Sequence, residues 1–291
     1  MTSTRIITLL EALARDKNST KDLMEVAIHN FIVQKPSLPV TGFHYAFIVR
    51  CSPNNLYPGE VFKNISRCSY NPYPDTIRLG RCNYPNQAVF YAAATADTKY
   101  IKASTTALLE TSFDYYVRKK SVNRMYFTLS RWQLSRPLKL IVLPFSKRST
   151  TRNNDFKKMN KEFDNLLRDM CQLRPSDYIE IKRFLVYMSN IFCRMRKKAF
   201  YYRISSAFFN VIMSLVKDVD GLAYPSAMTK AEGMNLALKK DLIDNKILQC
   251  DVVVMYSMQR NPSNPKDITF VPASETADIA RNGNLGFRWI T

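Results

Sequence analysis

The fold class this sequence predicts is α+β: a mixed β core, helices ahead of it, and a basic helical insertion within it. Three observations predict it. Aromatic and β-branched segments with period-two alternation recur early and late in the chain, at 42–50, 123–145 and 222–260. Between them, residues 153–218 switch to a helical period over three long, basic, Leu/Phe/Met-rich stretches. Strands and helices also come in blocks rather than in a βαβ alternation, which argues against a regular parallel sheet.

Taken in order, residues 3–15 and 20–34 read as amphipathic helices, the second capped near Ser19 and Thr20. They form a helical extension over 1–39, closed by the breaker KPSLP at 35–39. The main domain follows at 40–270. GFHYAFIVR (42–50) alternates as a strand, and the Pro-, Asn- and Ser-rich stretch 51–75 reads as loop. A strand is expected at 88–94, then a helix opening at Ser104 or Thr105 that turns Ala107, Leu108 and Tyr115 to the core. NRMYFTLSRWQL and PLKLIVLPF read as strands, and the helical insertion occupies about 150–218. After Gly221 come the strands LAYPSA, NLALK and DVVVMYSMQR, and the tail 271–291 reads as polar loop.

Composition narrows the function. The chain has 291 residues, 46% of them hydrophobic, enough to bury a real core. No apolar run approaches the 18 residues a membrane helix needs. Glu11, Arg15 and Asp16 interrupt the N-terminal apolar stretch, so it reads as a helix rather than a signal peptide, and a cytoplasmic protein is expected. Six cysteines lack any C-x-x-C pair, and His29 and His44 are the sole histidines, so no metal centre is expected. Cys82 with His44 is one nucleophilic pair that could be written, although a packed thiol is the commoner fate of such a cysteine.

Four pieces carry chemistry: Arg81 after Gly80 in GRCN, Tyr91 in VFYAA, Glu110 in TALLE, and Ser226 in YPS, which leads on to NLAL. Each has an ordinary reading, as a turn, a core tyrosine, a solvent-facing helix residue and a post-proline turn. In this order, over roughly 40–260, they resemble the RES domain, a bacterial family named for its arginine, glutamate and serine. The resemblance implies a fold similar to ADP-ribosyltransferases and consumption of NAD, with no metal. Many of the family's members are toxins neutralised by a helix-turn-helix antitoxin. It carries over Glu110, Arg81 and Tyr91 as catalytic residues, and Arg50, Arg81, Tyr91 and Ser226 as contacts to NAD. The chain departs from the family pattern at Cys82, where an aromatic is usual. It also departs in the lengthened spacer before Glu110, in the helices at its start, and in the basic helical block.

The chemistry is consistent with so few histidines. Cleavage between nicotinamide and ribose passes through an oxocarbenium-like state. The nicotinamide ring starts out cationic and leaves neutral, so no general acid is required. One carboxylate, Glu110, suffices to oppose the developing charge, a role worth about 3 kcal/mol. Arg81 would take the pyrophosphate through its guanidinium fork, with Gly80 allowing close backbone approach. Tyr91 would present a flat face to nicotinamide, with Tyr84 or Tyr224 opposite. Ser226 would bond the carboxamide or a phosphate, or orient Glu110. Alanine at Glu110 or Arg81 is expected to remove most activity and leave the fold intact. Water, phosphate or a macromolecule could each accept the ADP-ribosyl group, so transfer to a protein or nucleic acid is the alternative activity.

The net charge of +19 is concentrated: residues 118–203 hold 22 Lys/Arg against 6 Asp/Glu. RMRKKAFYYR (194–203) mixes cations with aromatics, as nucleic-acid surfaces do. No RNA-binding signature accompanies it, so an acidic protein partner or a solvated face is favoured over nucleic acid. A non-enzymatic basic module, in which Lys197 and Lys198 would matter and Arg81 would not, is the remaining alternative.

Overall fold

A computed structural model of the chain describes residues 1–45, 47–54, 59–94, 103–118, 124–194, 200–261, 263–264, 267–273, 277–279 and 287–289. Helices α1 (Ser3–Arg15) and α2 (Lys21–Ile32) lead to strands β1 (Thr41–Phe43), β2 (Phe47–Asn54) and β3 (Phe90–Ala94). Helix α3 (Ala103–Arg118) and strands β4 (Arg124–Leu134) and β5 (Leu138–Val142) follow. The helical block is α4 (Lys147–Arg152), α5 (Asn154–Met170), α6 (Pro175–Phe192) and α7 (Phe200–Leu215). The chain then returns to β6 (Gly221–Pro225), β7 (Met234–Leu238), the short α8 (Asp241–Asp244) and β8 (Leu248–Arg260). It ends with β9 (Ile268–Pro272), β10 (Ala277–Ile279) and β11 (Phe287–Trp289). The chain is therefore a mixed α+β protein.

Among the described residues the eleven strands belong to one sheet, ordered β1-β5-β6-β7-β3-β2-β4-β8-β10-β11, with β9 also on β8. The described pairings are antiparallel except β5 with β6. That exception explains the helical block. Parallel neighbours cannot be joined by a hairpin and need a long crossover; α4 to α7 are that crossover.

Three expectations need correcting. The strand expected at 42–50 is interrupted after Phe43, and its second part runs on through 51–54 as β2. The tail is not loop alone, since β10 and β11 extend the sheet there. Thr20 occupies the cap position of α2 but makes no side-chain capping bond.

Side-chain alternation divides the sheet into two faces. Phe90, Ala92 and Ala94 of β3 join Ile48, Trp132 and Leu236 on one face. There Phe156 of α5 stacks on Phe145, centroids 3.9 Å apart. The opposite face carries two neighbouring helical bodies. Helix α3 buries Ala107 and Leu108 against Val49, Ala93 and Leu129, while the side chain of Tyr115 lies outside the described residues. Helices α1, α2, α6 and α7 share one core, in which Ile6, Phe31, Phe184 and Phe208 pack down to Ile141, Leu222 and Ala237 of the sheet. The N-terminal helices are thus built into the helical block. Arg203 of α7 fastens them by donating to the carbonyls of Ala14 (3.1 Å), Asp16 (2.8 Å) and Ser19 at the end of α1 and beyond. The seam between α3 and α6–α7 lies over β6, β7 and β3, and the sequence-predicted residues gather there.

Candidate active site

The turn that opens the site is held by one amide. Asn83 Nδ2 donates to the carbonyls of Arg78 and Tyr84, both at 2.8 Å. Its Oδ1 accepts from the Tyr91 hydroxyl at 2.8 Å, and the Tyr91 oxygen accepts from the Cys82 N–H at 2.9 Å. Tyr91 is thereby committed to locking the turn, and burial raises its phenol well above the ordinary value. A Cβ on residue 80 would collide with Asn83 Oδ1 and come within 3.1 Å of the Tyr91 oxygen. Gly80 thus makes room for the chain's own side chains, a different use from the ligand approach anticipated for it. Gly80→Ala is expected to lower stability by about 1–3 kcal/mol through overpacking. A wild-type urea midpoint for that variant would contradict this account of the turn.

The locked turn aims Arg81 into the seam. Its Nη1 donates to the carbonyl of Phe192 and, at 3.2 Å, to that of Arg194, so it closes the C-terminal end of α6. Cations are favoured at that end, where backbone carbonyls lack helical partners. The guanidinium carbon lies 5.6 Å from the centroid of Tyr202 on α7. Burial works against the charge of Arg81, but Glu110, then Tyr202, Tyr224 and Cys193, outweigh it and raise its pKa.

Glu110 faces Arg81 from α3. Its Oε1 accepts from the Ser226 hydroxyl at 2.7 Å, Asn235 Nδ2 at 2.9 Å and the Met228 N–H at 3.3 Å. Oε2 takes no hydrogen bond among the described residues. Ser226 is fully buried and itself receives the Thr229 N–H at 3.3 Å. Of the three partners considered for Ser226, it bonds Glu110. The loop from Ser226 back to β7 is tight: Gly233 N–H reaches Thr229 Oγ1 at 2.7 Å, and Thr106 of α3 leaves no space for a side chain at Gly233. Glu110 is therefore half-buried and anchored at one oxygen, not turned to bulk solvent.

No family model matches the chain, and no curated protein matches it.

Arg81, Glu110, Ser226 and Tyr91 meet on one face of the sheet, but Arg50 does not join them. It follows Val49 on β2 and so points to the other face. There it lies over Phe90, 5.1 Å from the ring centroid, and donates to the Tyr91 carbonyl at 2.8 Å. Burial lowers its pKa, and its Nε is buried without a hydrogen-bond partner among the described residues. As a contact to a ligand held by Glu110 and Arg81, Arg50 is on the wrong side. Tyr84 lines a cavity of about 690 Å³ between α2 and α7, and Tyr224, 3% exposed, packs on Phe192 at 4.8 Å. Cys82 is fully buried with its thiol pushed up by burial, and His44 lies exposed beside Gly42 at the sheet edge, so no nucleophilic pair forms.

The sequence reading missed Asn235 and Tyr202. Asn235 had a signal, being the one amide in the otherwise apolar MNLAL, all five residues of which are buried. Tyr202 sat inside the basic run 194–203, of which 195–199, with Lys197 and Lys198, lie outside the described residues. Among the described residues no group of His, Cys, Asp and Glu could hold a metal ion, and no helix is long and apolar enough to cross a membrane.

Proposed function

We propose that the chain is an NAD-consuming enzyme of the RES type, related to ADP-ribosyltransferases, which breaks the nicotinamide–ribose bond and acts as a toxin by depleting NAD. The observation that carries this reading is the state of Glu110. Three donors fix its Oε1, its Oε2 takes no bond from described residues, and a buried guanidinium stands across the seam.

Such an arrangement suits a reaction in which positive charge develops on ribose as a neutral ring departs. A carboxylate already held in place opposes that charge without reorganising, which is the main source of electrostatic catalysis. Anchoring through Oε1 leaves Oε2 to face the ribose. Arg81, held at Nη1, supports the reading by presenting its remaining donors to the pyrophosphate. Tyr91 contributes by holding the turn that aims Arg81.

The test is incubation of purified protein with NAD labelled in the adenine half. Free nicotinamide is expected together with ADP-ribose, or with its phosphate when phosphate is the acceptor. Label on a macromolecule would instead identify transfer. Intact NAD after prolonged incubation at micromolar enzyme, with and without phosphate, would overturn the proposal.

A further inference from the structure

Helix α2 is apolar on two sides. Met24, Ala27, Ile28, Phe31 and Ile32 are buried in the helical core. Leu23, Val26 and Val33, spaced by three and seven residues, share the outer face and are 52%, 55% and 51% exposed. Val33 keeps helical dihedrals at the end of α2, so about 10 Å of helix separates it from Val26. A surface helix ordinarily reserves its outer face for polar residues.

Each end of this face opens into a hollow. Toward the start of α2, the cavity of about 690 Å³ separates Glu25, Val26 and His29 from Tyr84, Pro85 and Val211. Toward its end, Val33 and Pro36 meet Met170 and Leu173 of the α5–α6 turn around a hollow of about 570 Å³. Leu173 is 97% exposed, the most exposed large hydrophobic side chain among the described residues. Unsatisfied charge follows the same division. Glu25 is half-buried and makes no ion pair among the described residues, and Lys21, one turn away, lies 4.8 Å from the centroid of the Tyr84 ring. At the other end Arg174, its side chain 68% exposed, is held loosely. It lies 3.4 Å from the Gln34 carbonyl and 3.9 Å from Asp177, which Lys35 already pairs at 2.6 Å.

An apolar knob and a cation at one end of α2, with a hollow and an unpaired carboxylate at the other, complement a second copy turned end for end. We propose that the chain forms a homodimer through α2, the two helices antiparallel about a two-fold axis between His29 and Asn30. Val26 of each copy then meets Val33 of the other. Leu173 enters the second copy's cavity at Tyr84 and Pro85, and Arg174, level with Gln34, reaches the second copy's Glu25. Charge favours this occupant over an acidic partner. Residues 1–39 hold five Lys/Arg against four Asp/Glu, so two copies meet there without the repulsion that a net charge of +19 brings elsewhere. An anionic protein would be drawn instead to the basic residues of 118–203. The dimer does not depend on the NAD reading of the Glu110 seam.

Sedimentation velocity at about 100 μM chain is the test, with the wild type expected at twice the mass of one chain. Leu173→Asp drives a carboxylate into the hollow and should weaken pairing about tenfold or more. Its thermal midpoint should stay that of the wild type, because the leucine is almost wholly exposed in the single chain. Arg174→Glu should weaken pairing to a similar extent by setting one carboxylate against another, and Glu25→Arg in the same chain should restore it. A wild type that is monomeric at this concentration overturns the dimer. Pairing indifferent to Leu173→Asp or to Arg174→Glu overturns it as well, since self-association would then use another face. A doubly swapped protein that stays monomeric overturns the antiparallel arrangement.

Discussion

Glu110→Gln is expected to keep the thermal midpoint of the wild type and lose about two to three orders of magnitude in NAD turnover. Glutamine preserves the anchor. Its carbonyl oxygen can take the place of Oε1 and accept from Ser226, Asn235 and the Met228 N–H, which hold the carboxylate at 2.7, 2.9 and 3.3 Å. Its NH₂ takes the place of Oε2, so a partial positive charge faces the position where the ribose becomes cationic. Alanine is a poorer test. It would leave the Ser226 hydroxyl and the Asn235 amide, 0% and 6% exposed, without their acceptor. Each orphaned group costs about 1–3 kcal/mol, so lost activity could be lost fold. Turnover by the Gln protein at the wild-type rate would remove Glu110 from the chemistry, whatever the products.

How much of this was legible beforehand depends on which kind of interaction carried it. The α+β class was readable because periodicity is a local property, and the switch from two to 3.6 residues shows in any window. The same local signal delivered α1, α2, the start of α3 and the extent of the helical block to within a few residues. It could not deliver the sheet order, in which β5 and β6 become parallel neighbours across the whole helical block. Glu110 and Ser226 were singled out not by residue type alone but by the order in which GRCN, VFYAA, TALLE, YPS and NLAL follow one another, as in the RES domain. Arg81 was found for the same reason, but half its role was not. Its hydrogen-bond partners are backbone carbonyls more than a hundred residues away, and a carbonyl leaves no mark in a sequence. Tyr91 shows the opposite case. An aromatic in a strand suggests a binding platform, but only the tertiary contact with Asn83 tells that its hydroxyl serves the turn. Arg50 was lost to parity, since one step along β2 places it across the sheet from Glu110.

Replacing Arg81 is expected to hurt twice, and the two injuries can be separated. Arg81→Ala removes the donor to the Phe192 carbonyl, at a helix end whose last residue is fully buried. An unsatisfied buried carbonyl costs about 1–3 kcal/mol, a midpoint several degrees lower in a chain of this size. The alanine expectation from sequence, activity lost with the fold untouched, therefore holds no better for Arg81 than for Glu110. The same variant should lose about a hundredfold or more in kcat/KM, because a charge-assisted grip on the diphosphate goes with it. Arg81→Lys discriminates between the two effects. Lysine keeps the charge but gathers its three N–H groups on a single atom, without the spread of the guanidinium fork. It can satisfy the α6 carbonyls or the phosphate, not both. The midpoint should therefore recover much of the loss while the KM for NAD stays high. If Arg81→Ala melted at the wild-type temperature, the closure of α6 would carry no stability. If Arg81→Lys turned over NAD with the wild-type KM, a point charge would be enough, and the guanidinium fork would have no part in binding. Recovery of stability without recovery of binding is the outcome that a single guanidinium shared between helix and substrate requires.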